Sequence, residues 1–243
     1  DLFALSYYSL IATKVVLNLR FLAQWPLTYL NLEGEYLVLD EAACSAFSEQ
    51  TNLEVLALRM NAVSMGNLLK NLKNPKNIKK LSLRIHSDES ITTLPQYINE
   101  MTQVEDFTLS ATVFKKNVEF FKKIDIRPKR LEFSIGPSRK EDDPELKVSL
   151  EFLQKQTQLE TLRLNMANIK QESLYTIKNI LLSMKLLKNL RFHSHGWTDL
   201  PEEGVLIFTD VFSKLPLEEL DLNISSRKFK DPEMKGIIND FRK

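Results

Sequence analysis

The sequence has only one cysteine, Cys44, together with six glycines and three histidines among its 243 residues. One cysteine excludes an internal disulfide bond and a zinc site built from several cysteines, and it fits a reducing compartment such as the cytosol or the nucleus. So few glycines leave no glycine-rich loop to hold a phosphate group. The chain is therefore expected to bind no cofactor and no metal, and to be no enzyme.

Neither sign of charge dominates, because 33 lysines and arginines face 32 aspartates and glutamates. No long-range field therefore attracts nucleic acid or an anionic membrane. The most apolar stretch, residues 2–13, is too short to cross a bilayer of about 30 Å and is interrupted by Ser6 and Ser9. The sequence predicts no membrane span, an intracellular location in cytoplasm or nucleus, and a buried N-terminal cap over residues 1–26.

What the sequence does contain is an internal repeat, an apolar residue followed after two positions by Leu-x-Leu. Residues 53–58 (LEVLAL) and 159–164 (LETLRL) show it clearly. Apolar residues that alternate over five positions are typical of a strand with one buried face. The pattern predicts eight such strands, with central residues Leu30, Leu56, Leu81, Phe107, Leu131, Leu162, Leu190 and Leu220.

Segments of helical periodicity lie between these strands, as at residues 67–72, 118–121 and 174–184. Two Asp-Pro pairs, at residues 143–144 and 231–232, combine a good N-cap with proline at the first helical position. Strand plus helix is therefore the predicted repeat unit. The second pair predicts a C-terminal capping helix over residues 231–243.

This pattern resembles the leucine-rich-repeat family, in particular its ribonuclease-inhibitor-like subclass, over residues 27–230. The resemblance implies an α/β solenoid of about eight repeats, a horseshoe with parallel strands on the concave face and helices on the convex face. The family usually places asparagine three residues after the second leucine, where its side chain binds loop backbone, and Asn61 holds that position here. Two residues further on, the expected apolar site is restored by Leu37, Val63, Phe114, Ile169 and Trp197.

The strand residues that alternate with the buried leucines are the candidate partner-binding residues, because the predicted fold does not need their side chains. Either they form a docking face or they are simply solvated. Arginine binds a carboxylate through two parallel hydrogen bonds, so a mainly basic face predicts a protein partner with an acidic segment. The candidates are Arg59, Lys80, Arg84, Asp106, Arg130, Arg163, Asn165, Arg191, His193, Glu219 and Asp221.

Three further features have a structural and a functional interpretation. Cys44 lies in an apolar segment, which favours core packing over a role as nucleophile. His193 and His195 could supply two metal ligands, but a third is missing, and His86 shares the repeat position of His195, which favours loop hydrogen bonding. A second basic cluster, residues 115–130, favours a solvated helix face over contact with phosphates or lipid headgroups.

The function that this sequence predicts is a non-catalytic scaffold or adaptor, a subunit of a larger complex that binds a protein on its concave strand face. Two alternatives come from the same resemblance: a GTPase-activating protein of the ribonuclease-inhibitor-like class, and a ubiquitin-ligase substrate adaptor without its N-terminal module. Binding of nucleic acid or phosphoinositide through the second basic cluster is a third, weaker alternative.

Overall fold

A computed structural model describes residues 7–11, 16–17, 25–34, 38–39, 44–85, 92–111, 118–135, 144–167, 171–195, 207 and 210–224. The chain divides into two compact units, unit 1 with Asp1–Pro128 and unit 2 with Lys129–Lys243. The predicted capping helix of residues 231–243, the loop of residues 136–143 and His86 lie outside the described residues.

Unit 1 alternates parallel strands with short helices. Its strands are β1 (Tyr7–Ile11), β2 (Val16–Leu17), β3 (Tyr29–Glu33), β4 (Val38–Leu39), β5 (Val55–Met60), β6 (Lys80–Ile85) and β7 (Asp106–Ala111). Strands β1, β3, β5, β6 and β7 are neighbours in that order, and β2 pairs with β4 separately. The helices are α1 (Ala62–Lys70), α2 (Leu94–Ile98) and α3 (Val118–Lys123), with 3-10 turns at Ala46–Glu49 and Pro75–Asn77.

Unit 2 repeats this arrangement with fewer strands. Its strands β8 (Arg130–Ile135), β9 (Thr161–Ala167), β10 (Asn189–His195) and β11 (Glu219–Ile224) pair in parallel in chain order. The helices are α4 (Pro144–Gln154) and α5 (Gln171–Ser183), and residues 210–214 are helical as well. The predicted α/β class, with parallel strands and intervening helices, is confirmed in both units.

The predicted strand register is also confirmed. Within each unit the central repeat residues are direct partners on neighbouring strands, as in Leu30 with Leu56 and Leu162 with Leu190. The first seven of the eight are at most 1% exposed, whereas Leu220 on β11 is partly exposed. Each unit therefore packs a continuous apolar row beneath its strands, which is the main source of its stability.

Strand β1 is a ninth parallel strand that the pattern did not predict. Its Tyr8 and Leu10 are the register partners of Leu30 and Leu32 on β3. Tyrosine replaces the first leucine of the motif, which hid the repeat. The strand lies within the predicted N-terminal cap, and the cap boundary at residue 26 stays a prediction.

Helix α1 shows how a repeat turns from strand to helix. Asn61 caps it, since its Oδ1 accepts a hydrogen bond of 2.8 Å from the Ser64 amide within the helix. Binding of loop backbone by Asn61, which the resemblance implied, stays a prediction. The helix buries Ala62 and Met65, which leaves the intervening Val63 59% exposed. The expectation that Val63 fills a buried apolar site is therefore wrong. The related positions Leu37, Phe114, Ile169 and Trp197 lie outside the described residues.

Several carbonyls just before strands each accept two backbone N–H groups from the next repeat. In unit 1, for example, the Glu54 carbonyl accepts from Lys79 at 2.8 Å and from Lys80 at 3.1 Å. The charged residues that directly precede strands alternate in sign. They are Glu54, Lys79 and Glu105 in unit 1, and Lys129, Glu160, Lys188 and Glu218 in unit 2. Ion pairs join Glu54 to Lys79 at 2.9 Å and Lys188 to Glu218 at 3.4 Å.

Few polar side chains are buried, and their hydrogen bonding differs. Gln50 and Gln156 both lie three residues before the first apolar residue of a repeat, and they are 3% and 1% exposed. The Oε1 atom of Gln50 accepts a hydrogen bond of 2.9 Å from the Leu27 amide. Among the described residues, the Oε1 atom of Gln156 and the hydroxyl of Ser194 have no such partner. Cys44 is fully buried, as predicted.

Candidate functional site

In each unit, side chains at alternate strand positions lie opposite the buried leucines, and we call this side the strand face of that unit. All eleven candidate residues lie in strands at these positions. The strand face of unit 1 carries Arg59, Lys80, Arg84 and Asp106. That of unit 2 carries Arg130, Arg163, Asn165, Arg191, His193, Glu219 and Asp221.

On the strand face of unit 1, two arginines lie in one row with a single carboxylate. Arg59 on β5 forms an ion pair with Glu33 on β3, its register partner. On its other side Arg59 is the register partner of Arg84 on β6. Arg84 and Lys80 are both exposed, and neither forms an ion pair within the part of the chain that the structure describes. Unit 1 therefore presents cationic groups that its own carboxylates do not neutralise.

A shallow depression of about 190 Å³ lies on the strand face of unit 1, over strands β3, β5 and β6. Its lining is mostly polar and combines guanidinium, carboxylate, hydroxyl and amide groups. The lining residues are Tyr29, Asn31, Glu33, Ala57, Leu58, Arg59, Ser82 and Arg84. Such a surface suits a charged or hydrogen-bonding ligand better than an apolar one.

On the strand face of unit 2, two of the three arginines, Arg163 and Arg191, form ion pairs within the unit. Arg163 Nη1 lies 3.7 Å from Glu132 Oε2. Arg191 Nε lies 2.7 Å from Asp221 Oδ2, and His193 Nε2 lies 3.5 Å from that same oxygen. This face therefore satisfies much of its own charge.

Two further candidates of unit 2 differ from each other. Asn165 donates a hydrogen bond of 3.4 Å to the Ser134 hydroxyl on the neighbouring strand. Glu219, in contrast, is exposed and forms no ion pair in the described ranges. Among the described candidates, Glu219 is thus an anion without an ion pair, whereas Lys80 and Arg84 in unit 1 are cations without one.

The sequence predicted a mainly basic surface. In the structure, carboxylates lie beside several of its arginines. Glu33 and Arg59 hold the same repeat position 26 residues apart, as the register pairs them. Glu132 and Arg163 share another position. The repeat alignment already contained this signal, because residues at equal positions of neighbouring repeats become neighbours on the sheet.

The second basic cluster, residues 115–130, is partly neutralised. Lys122 Nζ lies 2.9 Å from Glu119 Oε1, and Arg127 Nη2 lies 2.7 Å from Asp125 Oδ1. The hydrogen bond from Lys122 lowers the pKa of the Glu119 carboxyl. Lys115 and Lys116 lie outside the described residues. Both acids that the cluster contains therefore pair with its cations, which reduces the charge left for a phosphate.

The histidines give no metal site within the ranges described. His193 lies on the strand face next to one carboxylate, Asp221. No group of three or more histidine, cysteine, aspartate or glutamate side chains there is placed to hold a metal ion. The side chain of His195 lies outside the described residues.

The recurrence of buried Leu-x-Leu residues at matching positions of successive parallel strands decides the fold. The chain has a leucine-rich-repeat fold. Membership of the ribonuclease-inhibitor-like subclass and the curvature of a horseshoe stay predictions. No helix in the described part of the chain combines the length and apolar character that a membrane crossing needs.

Comparisons with known proteins find similarity in solved structures alone. No protein-family model matches this chain, and no curated protein matches it. Among solved structures, it is similar to the leucine-rich repeat-containing protein LegL7 from Legionella pneumophila, with 13% identity over 75% of the chain and a TM-score of 0.41. The chain spans 63% of that structure.

Proposed function

We propose that this protein is a non-catalytic interaction scaffold, which binds another protein through the strand faces of its leucine-rich repeats. The observation that carries the proposal is the alternation of buried and outward-facing residues in each strand. Alternate residues such as Leu56 and Leu58 are buried and build the fold, while the residues between them, such as Ala57 and Arg59, face outward without a role in the core. Backbone hydrogen bonds hold these outward positions in fixed register, which lowers the entropy cost of binding.

The partner that we propose has an acidic segment. Support comes from the exposed Arg84 and Lys80, which lack an ion pair within the described part of unit 1. A guanidinium binds a carboxylate through two parallel, charge-assisted hydrogen bonds. We further propose that the protein acts inside the cell, as a subunit of a larger complex. The buried thiol of Cys44 supports a reducing compartment.

The GTPase-activator and ubiquitin-ligase-adaptor alternatives stay predictions, since no specific observation supports either. Nucleic acid or phosphoinositide binding has less support than the sequence suggested, because Lys122 and Arg127 in the second basic cluster are paired with acids.

The proposal is tested by affinity purification from the native source followed by mass spectrometry. The bait is wild type or the variant with Arg84→Glu, Arg163→Glu and Arg191→Glu, after circular dichroism has shown that both are folded. The matched control reverses three exposed lysines outside the strand faces, Lys73→Glu, Lys155→Glu and Lys185→Glu. We expect the strand-face variant to lose specific partners that wild type and control both retain. An unchanged partner set would contradict binding through the strand faces.

A further inference from the structure

We infer that the strand face of unit 1 contains a carboxylate-binding site formed by Arg59 and Arg84, which takes an acidic side chain of the partner, and that Glu33 competes for this site from within. The inference rests on the proposed function and assigns it to one place and one chemistry. Three observations support it: the register of the two arginines, the polar depression around them, and the contrast with unit 2.

The two arginines are direct register partners on neighbouring parallel strands, β5 and β6. Such strands lie about 4.8 Å apart, so two like charges at partnered positions repel each other. The row through them reads Glu33, Arg59, Arg84 and Ser110, with one carboxylate for two guanidiniums. A second carboxylate supplied by a partner would remove the repulsion and complete the row.

The depression around the arginines is open and polar, which defines what it can hold. Arg59 and Arg84 line it together with Glu33 and the neutral hydrogen-bonding residues Asn31 and Ser82. Its openness and small volume fit side chains of an extended peptide segment, whereas an apolar anchor would find few apolar contacts. The amide and hydroxyl groups can bind the partner's backbone while the guanidiniums bind its carboxylate.

Unit 2 presents three arginines on its strand face, but two of them are already paired with carboxylates within its described residues. Arg163 is paired with Glu132, and Arg191 shares Asp221 with His193. A partner carboxylate there would have to displace an internal one. Charge complementarity therefore favours unit 1 as the place where an acidic segment binds.

The competition from Glu33 follows from its contact with Arg59. The ion pair engages the Nη1 atom of Arg59, and the Glu33 side chain is 27% exposed, so it is partly shielded from screening by solvent. Removal of the Glu33 charge therefore removes the internal carboxylate that a ligand would have to displace from Arg59. We expect this change to strengthen the binding of an acidic segment, which a merely structural Glu33 would not do.

Fluorescence anisotropy with a labelled peptide tests the inference. The probe is a twelve-residue peptide of alternating glutamate and serine, and the control peptide has glutamine in place of glutamate. At low ionic strength the full chain should bind the glutamate peptide at least about tenfold more tightly than the control peptide. Arg84→Gln should weaken this binding about tenfold, and Arg84→Lys should restore part of it, because lysine keeps the charge without the planar fork.

Two further variants complete the design. Glu33→Gln should strengthen binding about threefold to tenfold, and the matched unit 2 variant Arg191→Gln should leave it within about twofold of wild type. Circular dichroism and thermal unfolding confirm that each variant is folded. A loss with Arg191→Gln as large as that with Arg84→Gln, or no gain with Glu33→Gln, would overturn the inference.

Other outcomes separate this inference from the function on which it rests. Partners lost by the triple strand-face variant but unaffected by Arg84→Gln would overturn the unit 1 site and leave the scaffold function standing. Partners retained by the triple variant would overturn the scaffold function itself. If the same peptide with phosphoserine in place of serine bound about tenfold more tightly than the glutamate peptide, the site would be one for a phosphopeptide, and the assigned carboxylate chemistry would be wrong.

Discussion

Units 1 and 2 have the same repeat and the same strand register, but they differ in how far their charged side chains are paired. In unit 2, Arg163 and Arg191 are neutralised by carboxylates of neighbouring strands, whereas in unit 1 Arg84 stays without an ion pair in the described ranges. The central repeat residues are buried in both units, except on β11, where Leu220 is partly exposed. The comparison shows that the repeat determines where the outward side chains lie. It does not determine whether their charges are neutralised by neighbouring side chains.

Buried polar groups show the reverse contrast. In unit 1, Gln50 and Ser64 accept hydrogen bonds from the amides of Leu27 and Leu39. In unit 2, the Oε1 atom of Gln156 has no partner among the described residues. Unit 1 thus uses its buried side chains to hold neighbouring backbone, while unit 2 buries some at a cost in free energy.

The largest expected effect tests whether the two cores are equivalent. Phe133 in unit 2 packs against Phe152 of α4, with ring centroids 5.5 Å apart, and Phe133→Ala should lower the free energy of unfolding by about 3–5 kcal/mol. Leu83→Ala at the same repeat position in unit 1 should cost about 2–5 kcal/mol. Urea unfolding followed by circular dichroism measures both. A loss below about 1 kcal/mol in one unit only would break the equivalence.

The next effect should differ in sign between the units. Gln50→Met deprives the Leu27 amide of its acceptor and should lower the free energy of unfolding by about 1–3 kcal/mol. Gln156→Met removes a buried oxygen that lacks a partner, along with a bond of 3.3 Å to the Phe152 carbonyl, and should lie between no change and a gain of about 1 kcal/mol. Equal losses in the same urea experiment would refute the contrast.

A smaller effect concerns two buried hydroxyls. Ser194→Ala in unit 2 removes a hydroxyl without a partner in the described ranges and should raise the free energy of unfolding by up to about 1 kcal/mol. Ser64→Ala in unit 1 is the matched control, because the Ser64 hydroxyl accepts a bond of 3.3 Å from the Leu39 amide, and it should cost about 0.5–1.5 kcal/mol. Differential scanning calorimetry should show melting temperatures that move in opposite directions.

The smallest expected effect is on how the free energy of unfolding depends on acidic pH. Hydrogen bonds from Lys178 and Lys214 lower the pKa of Asp210 in unit 2, as the bond from Lys122 lowers that of Glu119 in unit 1. Because the folded-state pKa is lowered, the ionised carboxylate stabilises the folded chain at pH values above the unfolded-state pKa. This stabilisation is lost as the pH falls through the folded-state pKa.

Urea unfolding over a pH series from 6 to 2 checks this expectation. Asp210→Asn and Glu119→Gln should each flatten the loss of stability at the acid end and leave the slope near neutral pH unchanged. A pH profile of Asp210→Asn that overlays wild type would show that its two lysine contacts contribute nothing.

Much of the fold could be predicted because period-two alternation is a local signal. The eight predicted strands and their register follow from leucine spacing, and the Asp-Pro pair at residues 143–144 indicated the start of helix α4 at Pro144. Strand β1 was missed because Tyr8 stands where leucine was sought. Val63 was placed inside because apolar character does not reveal the phase of a helix that begins at Ala62.

The candidate site was harder to predict than the fold. Sequence alone identifies the outward positions, but a count of arginines does not show which of them a neighbouring carboxylate neutralises. The pair formed by Arg191 and Asp221 depends on strands that lie 30 residues apart along the chain and side by side on the sheet. Arg84 can bind a partner's carboxylate because its register partners, Arg59 and Ser110, supply none. These partners become neighbours of Arg84 only through the strand register.

The alternating charges before the strands limit how this chain can be shortened or extended. In unit 2 they read Lys129, Glu160, Lys188 and Glu218, so excision of the repeat that contains Lys188 would set Glu160 beside Glu218, where an ion pair stood. Excision or duplication of two consecutive repeats would preserve the sequence of signs. For this protein the smallest module that can be exchanged without electrostatic mismatch is therefore a pair of repeats.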